Sequence, residues 1–395
     1  MVKLGIYLSG SPQCGGTYSY NKTILDSLIY VTKEIPNCEL VVYYLDTYWE
    51  NYLLGYDLNV RLVKISLLSK ILFRISRIFK LPVSFSRVIN QFFSSLCRNM
   101  QAENCALWFF PSQDAISFLF PLPSIVAIHD LMHRYESRFP EIGKKREYAI
   151  REYSYSNMAR WCKAIFVDSR IGKEQAQESY ILDSNKILIL PFVAAQLFDQ
   201  DYIPRQNFKQ KYVLPEKYLF YPAQFWLHKN HLNLLKAFNL IKNEFSDVHL
   251  VFVGAQKNSL DVVRNEIQNL RLNSRVHVFG FIDEQDIPQF YKKAIALVMP
   301  TYCGPTNIPP LEAFKMSCPV LISKVYGMPE QLGEAAIYFD PSSPEDMANK
   351  IRLLLNNPKL KAEKIALALK HAKNWDHKSF YQLFLNHVLT LVKTE

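Results

Sequence analysis

The chain has 395 residues, of which 49% are hydrophobic and 21% charged, and 46 Lys and Arg against 36 Asp and Glu give a net charge of +10. This length predicts two domains, each large enough to bury a core, and this composition excludes an intrinsically disordered or fibrous protein. The basic surplus favours anionic partners such as nucleotide phosphates or anionic lipid.

Cysteine content and hydropathy indicate the cellular compartment. The seven cysteines form no CxxC pair, so we expect buried thiols in a reducing cytosol. The first residues, MVKLGIYLSG, are too short and too soon interrupted for a signal peptide, and no apolar run reaches the ~18 residues of a membrane span. We therefore expect a cytoplasmic protein.

The first half alternates short apolar strands with helical or polar stretches. The pattern predicts a strand at residues 3–8, a polar turn at 9–16 and an amphipathic helix over 17–31. Further strands are predicted at 40–45, Leu107–Phe110, 124–129 and Ala164–Val167. This alternation favours a parallel, doubly wound sheet, which we assign to a first domain at 1–198.

One segment of the first half, residues 58–102, contains no Asp or Glu. Its basic residues stand among Leu, Ile, Phe and Val, and they are Arg61, Lys64, Lys70, Arg74, Arg77, Lys80, Arg87 and Arg98. This mixture is typical of a surface that contacts an anionic membrane, so we expect peripheral attachment at the inner face of the membrane. The alternative is an insertion with solvated charges.

The second half repeats the strand and helix alternation after a polar stretch. Residues 199–215 read as a linker, 216–375 as a second domain, and 376–395 as a helix that could cross back to the first. Strands are predicted at 218–221, 249–253, Val276–Phe279, 294–299, Val320–Ser323 and Ala336–Phe339. Helices are predicted at 231–243, Leu260–Asn269 and 343–356, and a helical pattern covers 359–394. Two such domains would leave a cleft suited to a ligand.

The stretch PTYCGPTNIPPLEAF, residues 300–314, follows a buried strand. Thr306 and Asn307 are good N-cap residues, so a helix is predicted to begin near Ile308. Free N–H groups at such a start favour a phosphate, and the carboxylate of Glu312 favours sugar hydroxyls. Taken alone, the segment is equally well read as an ordinary helix start.

A second stretch, YLFYPAQFWLHKNHLNLLKAF at residues 218–238, also passes from a strand through a loop to a helix, with Asn230 or His231 as the cap. This places Lys229 at the carboxyl edge of the same predicted sheet. A cation in one loop and backbone amides in the other would together hold a diphosphate.

The loops PAQFWLHKNH and GPTNIPPLEAF, at this separation, resemble the nucleotide-binding domain of retaining GT-B glycosyltransferases of the large family four. Other segments follow in that family's order, namely Gly15-Gly16, IHDLMHRYESRFPE, FVDSR, VHLVFVG, VHVFGFID and MPEQLGEAAIYFDP. The resemblance implies an α/β GT-B fold, in which two Rossmann-like, doubly wound domains face an interdomain cleft. The first would bind the acceptor and the second the nucleotide-sugar donor.

The resemblance also implies roles for individual residues. Lys229 would neutralise the donor diphosphate, Glu312 would bind the ribose, and His129 would hydrogen-bond the transferred sugar. The loop containing Gly304, Pro305, Thr306, Asn307 and Ile308 would hold the distal phosphate, which the loop at Gly15 and Gly16 would also reach. Weaker acceptor-side candidates are His133, Arg151 and Tyr155, each of which could equally be a packing residue.

Two positions depart from the family pattern. Many members carry an arginine where this chain has Gln224, and a second glutamate where it has Gly304; a subgroup with QFWxHKN and GPTN loops lacks both features. These departures put the contacts to the donor sugar in question and keep a second interpretation open. That alternative is a non-catalytic subunit that binds a nucleotide sugar or a glycan.

No DxD motif follows a strand, and the acidic run at residues 283–286 is better explained as helix capping. We therefore expect neither a metal nor another cofactor. The predicted activity is transfer of a sugar, with retention, from a nucleotide sugar to a glycan or lipid-linked glycan in cell-surface polysaccharide synthesis. Nucleic acid is not an expected partner, because the basic residues fall in no recognisable nucleic-acid-binding motif.

Overall fold

The computed structural model describes residues 2–12, 15–199, 202–203, 205 and 207–393. Gln13 and Cys14 of the predicted turn, four residues of the predicted linker and the side chain of Arg77 lie outside the description. Contacts divide the chain into two compact units. Unit 1 comprises Met1–Tyr135, Lys144–Pro191 and Lys378–Glu395, and unit 2 comprises Glu136–Gly143 and Phe192–His377.

Unit 1 is built on a seven-stranded sheet in which every pairing is parallel. Its strands are β1 (Val2–Leu8), β2 (Cys38–Tyr44), β3 (Asn59–Leu62), β4 (Leu107–Phe110), β5 (Ser124–Ala127), β6 (Ala164–Val167) and β7 (Ile187–Ile189), in the spatial order β3-β2-β1-β4-β5-β6-β7. The strands β4, β5 and β6 are buried along their whole length, because helices cover both faces of a doubly wound sheet.

The helices of the first half connect these strands. They are α1 (Gly16–Glu34), α2 (Tyr48–Leu53), α3 (Leu67–Ile78), α4 (Val83–Phe93), α5 (Ser95–Ala102), α6 (Ile116–Leu119), α7 (Met132–Tyr135), α8 (Pro140–Gly143), α9 (Lys145–Trp161) and α10 (Arg170–Tyr180). The short α8 belongs by its contacts to unit 2.

Unit 2 contains a six-stranded parallel sheet. Its strands are β8 (Lys217–Pro222), β9 (Val248–Val253), β10 (Val276–Phe279), β11 (Ala296–Met299), β12 (Val320–Ser323) and β13 (Ala336–Phe339), in the order β10-β9-β8-β11-β12-β13. The helices of the second half are α11 (Phe208–Lys211), α12 (His231–Ile241), α13 (Leu260–Asn269), α14 (Ile287–Lys293), α15 (Pro309–Lys315), α16 (Met328–Leu332), α17 (Pro344–Leu355), α18 (Pro358–Asn374) and α19 (His377–Lys393). Of these, α19 belongs to unit 1 and the others to unit 2.

The C-terminal helical pattern, with its predicted boundary between residues 375 and 376, forms two helices, α18 and α19. Trp375 ends α18, and its indole Nε1 donates to the carbonyl of Phe192 over 2.8 Å. Helix α19 packs within unit 1, where the buried ring of Phe384 lies 5.4 Å from Phe109 and 5.8 Å from Phe166. Two sheet strands thereby gain an apolar cover.

The two parallel sheets confirm the predicted α/β class. In each unit the direction of strand order reverses once, between β1 and β4 in unit 1 and between β8 and β11 in unit 2. At such a reversal the loops leave the sheet in opposite directions and open a crevice at the carboxyl ends of the strands, where doubly wound sheets bind ligands. The reversal points therefore fix where each unit is expected to bind its ligand.

Candidate functional site

Two loops of unit 2 begin at the strands on either side of its reversal point. The first connects β8 to α12 and the second connects β11 to α15. These loops, at 223–230 and 300–308, are the segments that the sequence singled out. The topology therefore brings both loops, the candidates for binding the nucleotide-sugar donor, to one crevice at the carboxyl edge of the sheet.

Lys229 lies in the first loop, at the end of a short 3-10 helix, Leu227–Lys229. The buried Tyr221 donates from its hydroxyl to the Lys229 carbonyl over 2.8 Å, and the Lys229 N–H donates to the Trp226 carbonyl over 3.1 Å. The side chain is half-buried. The backbone at this lysine is thus held from two sides.

Asn230 joins that turn to α12 with φ 61°, in the left-handed region that asparagine tolerates better than most residues. It is the N-cap residue, as predicted, but its side chain makes no cap hydrogen bond. Instead, Nδ2 donates to the carbonyl of Pro300 at 3.0 Å and to that of Pro341 at 2.8 Å. Asn230 therefore ties the loop after β8 to the loops after β11 and β13.

His228, which the sequence analysis did not single out, is bound to a carboxylate of α8. Glu141 Oε1 accepts from the His228 N–H at 2.9 Å and from its ring Nδ1 at 2.7 Å. The His228 carbonyl accepts from the Tyr302 N–H at 2.9 Å. The turn that carries Lys229 is therefore linked to α8 through its N–H groups and to the second loop through a carbonyl.

The second loop turns sharply at Gly304. This residue has φ 103°, and a Cβ there would lie 2.8 Å from Nδ2 of Asn307. Because a side chain would be strained by the backbone and crowded by Asn307, the loop in this conformation requires glycine. The glutamate that the family pattern leads one to expect at this position does not fit the loop as it is built.

Helix α15 begins at Pro309, close to the predicted start, but the predicted capping is wrong. The N-cap residue is Ile308, and no side chain caps the helix. The Asn307 N–H donates to Gln331 Oε1 at 3.1 Å, and Gln331 Nε2 donates back to the Asn307 carbonyl at 2.9 Å. The backbone amide expected to reach a phosphate is already paired, and Thr306 and Pro305 are buried.

Glu312 lies in the first turn of α15 and is half-buried. Its Oε2 accepts from the hydroxyl of Tyr291 over 2.8 Å. Burial raises the pKa of Tyr291 well above its ordinary value, and the nearby Glu312 raises it further, so this hydroxyl stays a donor. The fully buried tyrosine fixes the orientation of the carboxylate.

Gln224 stands where the family pattern leads one to expect an arginine. Its Oε1 accepts from the indole Nε1 of Trp226 at 2.9 Å. The ammonium of Lys257, from the loop after β9, lies 5.1 Å from the centre of the Trp226 ring. The position of the missing arginine is therefore part of a polar and aromatic cluster with a cation nearby.

In unit 1, the reversal point carries a carboxylate that the sequence analysis missed. Ser9, which follows β1, donates from its hydroxyl to both oxygens of Asp114, at 2.9 and 2.8 Å. Burial raises the pKa of Asp114 to about 6. Gly15, with φ 61°, is the N-cap of α1 near the end of β1, and Gly16 is its first residue. These groups share the expected ligand edge of the sheet.

His129 lies just beyond the end of β5. Its Nε2 is 3.0 Å from the carbonyl of Pro111, and its ring meets that of Tyr20 edge to face at 4.7 Å. Burial lowers the pKa of His129 below its ordinary value, so the ring is neutral and Nε2 donates to the carbonyl. A neutral imidazole suits hydrogen bonding to a sugar better than proton transfer.

The three weaker candidates lie near α7 and α9. His133 is completely buried, between the rings of Tyr148 and Tyr155 and 3.1 Å from Glu152. Tyr155 is also buried, and it donates to Gln113 Oε1 at 2.8 Å. Arg151 contacts the carboxylate of Asp130 at 3.3 Å. This environment makes His133 a packing residue.

Helices α3 and α4 present a mixed apolar and basic surface. Eleven bulky apolar side chains in 62–93 are more than a third exposed: Leu62, Leu67, Leu68, Ile71, Ile75, Ile78, Phe79, Phe85, Val88, Phe92 and Phe93. Lys70, Arg74 and Lys80 are exposed among them, whereas Arg87 turns inward and donates to the Phe118 carbonyl at 2.9 Å. We call this set, without Arg87, the α3–α4 surface. None of the described helices combines the length and the apolar composition that crossing a bilayer requires.

The predicted acidic capping run behaves as expected, since Asp283 accepts from the Gln285 N–H at 3.0 Å. Within the described residues, no group of three or more His, Cys, Asp or Glu side chains is arranged to hold a metal ion. The cysteines within that part of the chain are all free thiols, and only Cys38 is partly exposed. Cys14 lies outside the described residues.

Comparison with known proteins bears on the same loops. Residues 203–371, which contain both, match the family model described as "Glycosyl transferases group 1". The chain is 27% identical over 247 residues to the O-antigen chain mannosyltransferase B of Escherichia coli, a match that covers 60% of this chain and 64% of that protein. It is 24% identical over 228 residues to the O-antigen chain mannosyltransferase RfbU of Salmonella typhimurium, covering 58% of this chain and 59% of that one. The chain thus spans less than two thirds of the length of either relative.

The fold has close parallels among solved structures. The sucrose-phosphate synthase of Thermosynechococcus elongatus superposes with a TM-score of 0.74 at 15% identity, and the match covers 100% of both chains. At this identity the likeness concerns the fold alone. The chain therefore has the GT-B fold of two Rossmann-like units, and its residues 203–371 are a domain similar to the group 1 glycosyl transferases.

Proposed function

We propose that the protein is a retaining, metal-independent glycosyltransferase that moves a sugar from a nucleotide sugar to a glycan or lipid-linked glycan. The observation that carries the proposal is the convergence of two loops at the unit 2 reversal point, one with Lys229 and the other leading to Glu312. A cation in one loop and a carboxylate just inside the helix that follows the other, both at one sheet edge, suit a nucleoside diphosphate and its ribose.

The reaction we propose is the front-face transfer that the family resemblance implies. The acceptor hydroxyl oxygen forms a bond to the sugar anomeric carbon on the face from which the diphosphate departs. The bond between that carbon and the phosphate oxygen breaks, the hydroxyl proton passes to the leaving phosphate, and a nucleoside diphosphate is released. Lys229 stabilises the negative charge that develops on the leaving phosphate. Electrostatic stabilisation of this kind is usually the largest single contribution to catalysis. His129 orients the sugar by hydrogen bonding.

The relatives support a pathway and a first sugar to try. Both are named as O-antigen chain mannosyltransferases, so we propose a role in lipopolysaccharide-type or other cell-surface polysaccharide synthesis, with mannose as the first sugar to test. The same names support a glycan chain as the acceptor.

The test is nucleotide release from a panel of UDP-, GDP-, dTDP- and CMP-sugars in the presence of a membrane lipid extract. We expect release from one donor, dependent on the extract and unchanged by EDTA. Lys229→Ala should lower kcat/KM by about 10²–10³-fold, because a preorganised charge is lost at the leaving group. Lys236→Ala, which removes an exposed lysine of α12, is the matched control.

A second candidate is a non-catalytic subunit that binds a nucleotide sugar or a glycan. Gln224 and Gly304 favour it, because both lack the charges that many relatives place near the donor sugar. It predicts saturable donor binding with no release under any condition in the same assay.

We also propose that the α3–α4 surface rests on the cytoplasmic face of an anionic membrane. Exposed Leu, Ile and Phe next to Lys70, Arg74 and Lys80 combine apolar insertion with attraction to anionic headgroups. Co-sedimentation with phosphatidylglycerol vesicles should exceed that with phosphatidylcholine vesicles. The double variant Phe79→Ser with Phe92→Ser should lose this binding, whereas Phe281→Ser, at an exposed phenylalanine of unit 2, should keep it. Equal binding by the double variant would contradict the proposal.

A further inference from the structure

We propose that Glu141 is a positioning residue of the nucleotide site, and that its carboxylate fixes the turn that carries Lys229. The inference rests on the proposed function, because that function assigns Lys229 to the donor diphosphate. Glu141 lies in α8, which falls in sequence between two segments of unit 1 but packs in unit 2. Its side chain is only 5% exposed.

Both carboxylate oxygens of Glu141 accept hydrogen bonds that hold the turn, Oε1 directly and Oε2 through Asn258. Oε1 accepts from the N–H of His228 at 2.9 Å and from its ring Nδ1 at 2.7 Å, and Oε2 accepts from Asn258 Nδ2 at 2.9 Å. Asn258 Oδ1 in turn accepts from the Leu227 N–H at 3.2 Å. Two successive backbone amides of the turn are therefore satisfied by Glu141, one directly and one through Asn258.

The carbonyl side of the turn is held independently. The His228 carbonyl accepts from the Tyr302 N–H at 2.9 Å, and the Lys229 carbonyl accepts from the Tyr221 hydroxyl at 2.8 Å. Without Glu141 the turn would keep these carbonyl bonds, but the N–H and the ring of His228 would lose their acceptor and Asn258 would lose its anchor. The expected consequence is a turn that remains folded but is held less firmly, so that Lys229 is placed less precisely.

The contacts require a carboxylate in particular. Burial disfavours the charged form, but the hydrogen bonds from the side chain and backbone of His228 and from Asn258 outweigh it and hold the pKa of Glu141 at about 2. All three groups that reach Glu141 are donors, and a carboxylate is the only side chain of this shape that accepts at every position. Glutamine would turn an NH₂ group towards a donor, so Glu141→Gln keeps the shape and reverses the polarity.

Other contacts seat this segment, so it does not depend on Glu141 alone. The ring of Phe139 lies 5.4 Å from that of Tyr302, and the Arg138 guanidinium lies 4.6 Å from the same ring. Glu136 accepts from the Tyr326 hydroxyl at 2.9 Å. Glu136→Gln, in which the amide oxygen can still accept that bond, is therefore a matched control from the same segment.

The experiment measures binding of UDP, GDP and dTDP by titration calorimetry to the full-length wild type, Glu141→Gln and Glu136→Gln. A charged group that is displaced from its binding position interacts much more weakly with its ligand. We therefore expect Glu141→Gln to lower the affinity for the nucleoside diphosphate by about tenfold. Glu136→Gln should stay within about twofold of the wild type, the scatter expected of a substitution that removes no hydrogen bond of the Lys229 turn. Hydrogen exchange at residues 227–230 should quicken in Glu141→Gln only.

A double-mutant cycle separates positioning from a general structural role. In a Lys229→Ala background, Glu141→Gln should change the affinity by less than about twofold, because the group that it positions is gone. The same tenfold loss in both backgrounds, or no loss in either, would overturn the inference. Should Glu141→Gln fail to fold, Asn258→Ala removes only the second link and is expected to weaken binding by about threefold; unchanged binding would count against the proposal.

The two proposals fail in different ways. If the wild type binds none of the nucleoside diphosphates, the proposed function is overturned, together with the site that Glu141 would serve. If the wild type binds one of them and Glu141→Gln binds it equally well, the inference alone is overturned.

Discussion

The hydroxyl of Tyr291 donates to Oε2 of Glu312 over 2.8 Å, and this bond connects the core of unit 2 to the carboxylate proposed to bind ribose. Tyr291 packs against Phe220 at 5.0 Å, ring edge to ring face. A carboxylate anchored to such a rigid group is preorganised for a ligand, since little rotamer freedom remains to be lost on binding.

The first prediction concerns that anchor. Tyr291→Phe keeps the buried ring and removes the donor, so we expect nucleotide affinity to fall about threefold to tenfold and the unfolding free energy to fall by about 1 kcal/mol. Tyr218→Phe is the control, because that buried hydroxyl donates to the Phe290 carbonyl at 2.7 Å and not to Glu312. It should cost similar stability and leave affinity unchanged; equal affinity losses in both variants would refute the anchoring role.

The second prediction concerns Asp114. Because burial raises its folded-state pKa from 3.8 to about 6, the folded protein binds this proton more tightly, and stability falls as pH rises from about 4 to about 6. Asp114→Asn lacks this loss and should be more stable than the wild type at pH 7.5, by about 1–3 kcal/mol. The advantage should shrink towards pH 4.

Thermal unfolding of both proteins at pH 4 and pH 7.5 measures this difference. Asp57→Asn, at an exposed aspartate of the same unit, is the control for the substitution itself. A constant difference between Asp114→Asn and wild type at both pH values would show that the carboxyl is not perturbed.

The third prediction separates two roles of Asn230. Asn230→Ala leaves the Pro300 and Pro341 carbonyls without this donor and places alanine in the left-handed region, so we expect destabilisation by about 2–4 kcal/mol. Asn230→Gly removes the same two bonds but tolerates φ 61°, and it should be less destabilised by about 1 kcal/mol. Denaturant unfolding of both variants decides, and identical losses would mean that the backbone conformation carries no cost.

The fourth prediction concerns Gly304. Gly304→Ala should weaken nucleotide binding and destabilise unit 2 by about 1–3 kcal/mol, because φ 103° is unfavourable for a side chain and Asn307 crowds the new Cβ. Gly304→Glu, which supplies the glutamate found in many relatives, should lose activity instead of gaining it. Gly280→Ala, where a Cβ meets nothing within 4 Å, is the control, and an active, stable Gly304→Glu would contradict the prediction.

Sequence periodicity located most strands because they are short, mainly apolar runs between polar segments. The strands β4, β6, β10, β12 and β13 have the predicted bounds, whereas β3 was missed because all of its residues, Asn59–Leu62, are exposed at the sheet edge. An exposed edge strand lacks the apolar run that marks a strand, and tertiary pairing alone reveals it.

The site could be predicted in part for a similar reason. Lys229 and Glu312 lie in loops that follow strong strands, so their place at the sheet edge follows from the pattern. Glu141 and Tyr291 meet those loops only through the fold, across separations that no local motif spans. His133 is the opposite case. Its place in the segment IHDLMHRYESRFPE made it a candidate for the acceptor side, but nothing in the sequence indicated that it is completely buried.

The central claim is tested most directly by following the sugar itself. Protein incubated with a labelled mannose nucleotide and a membrane lipid extract should yield a labelled glycolipid in which the anomeric configuration of the donor is kept. Lys236→Ala should retain this product and Lys229→Ala should lose it. A donor that binds the wild type but gives no labelled product, or a product of inverted configuration, would contradict the account.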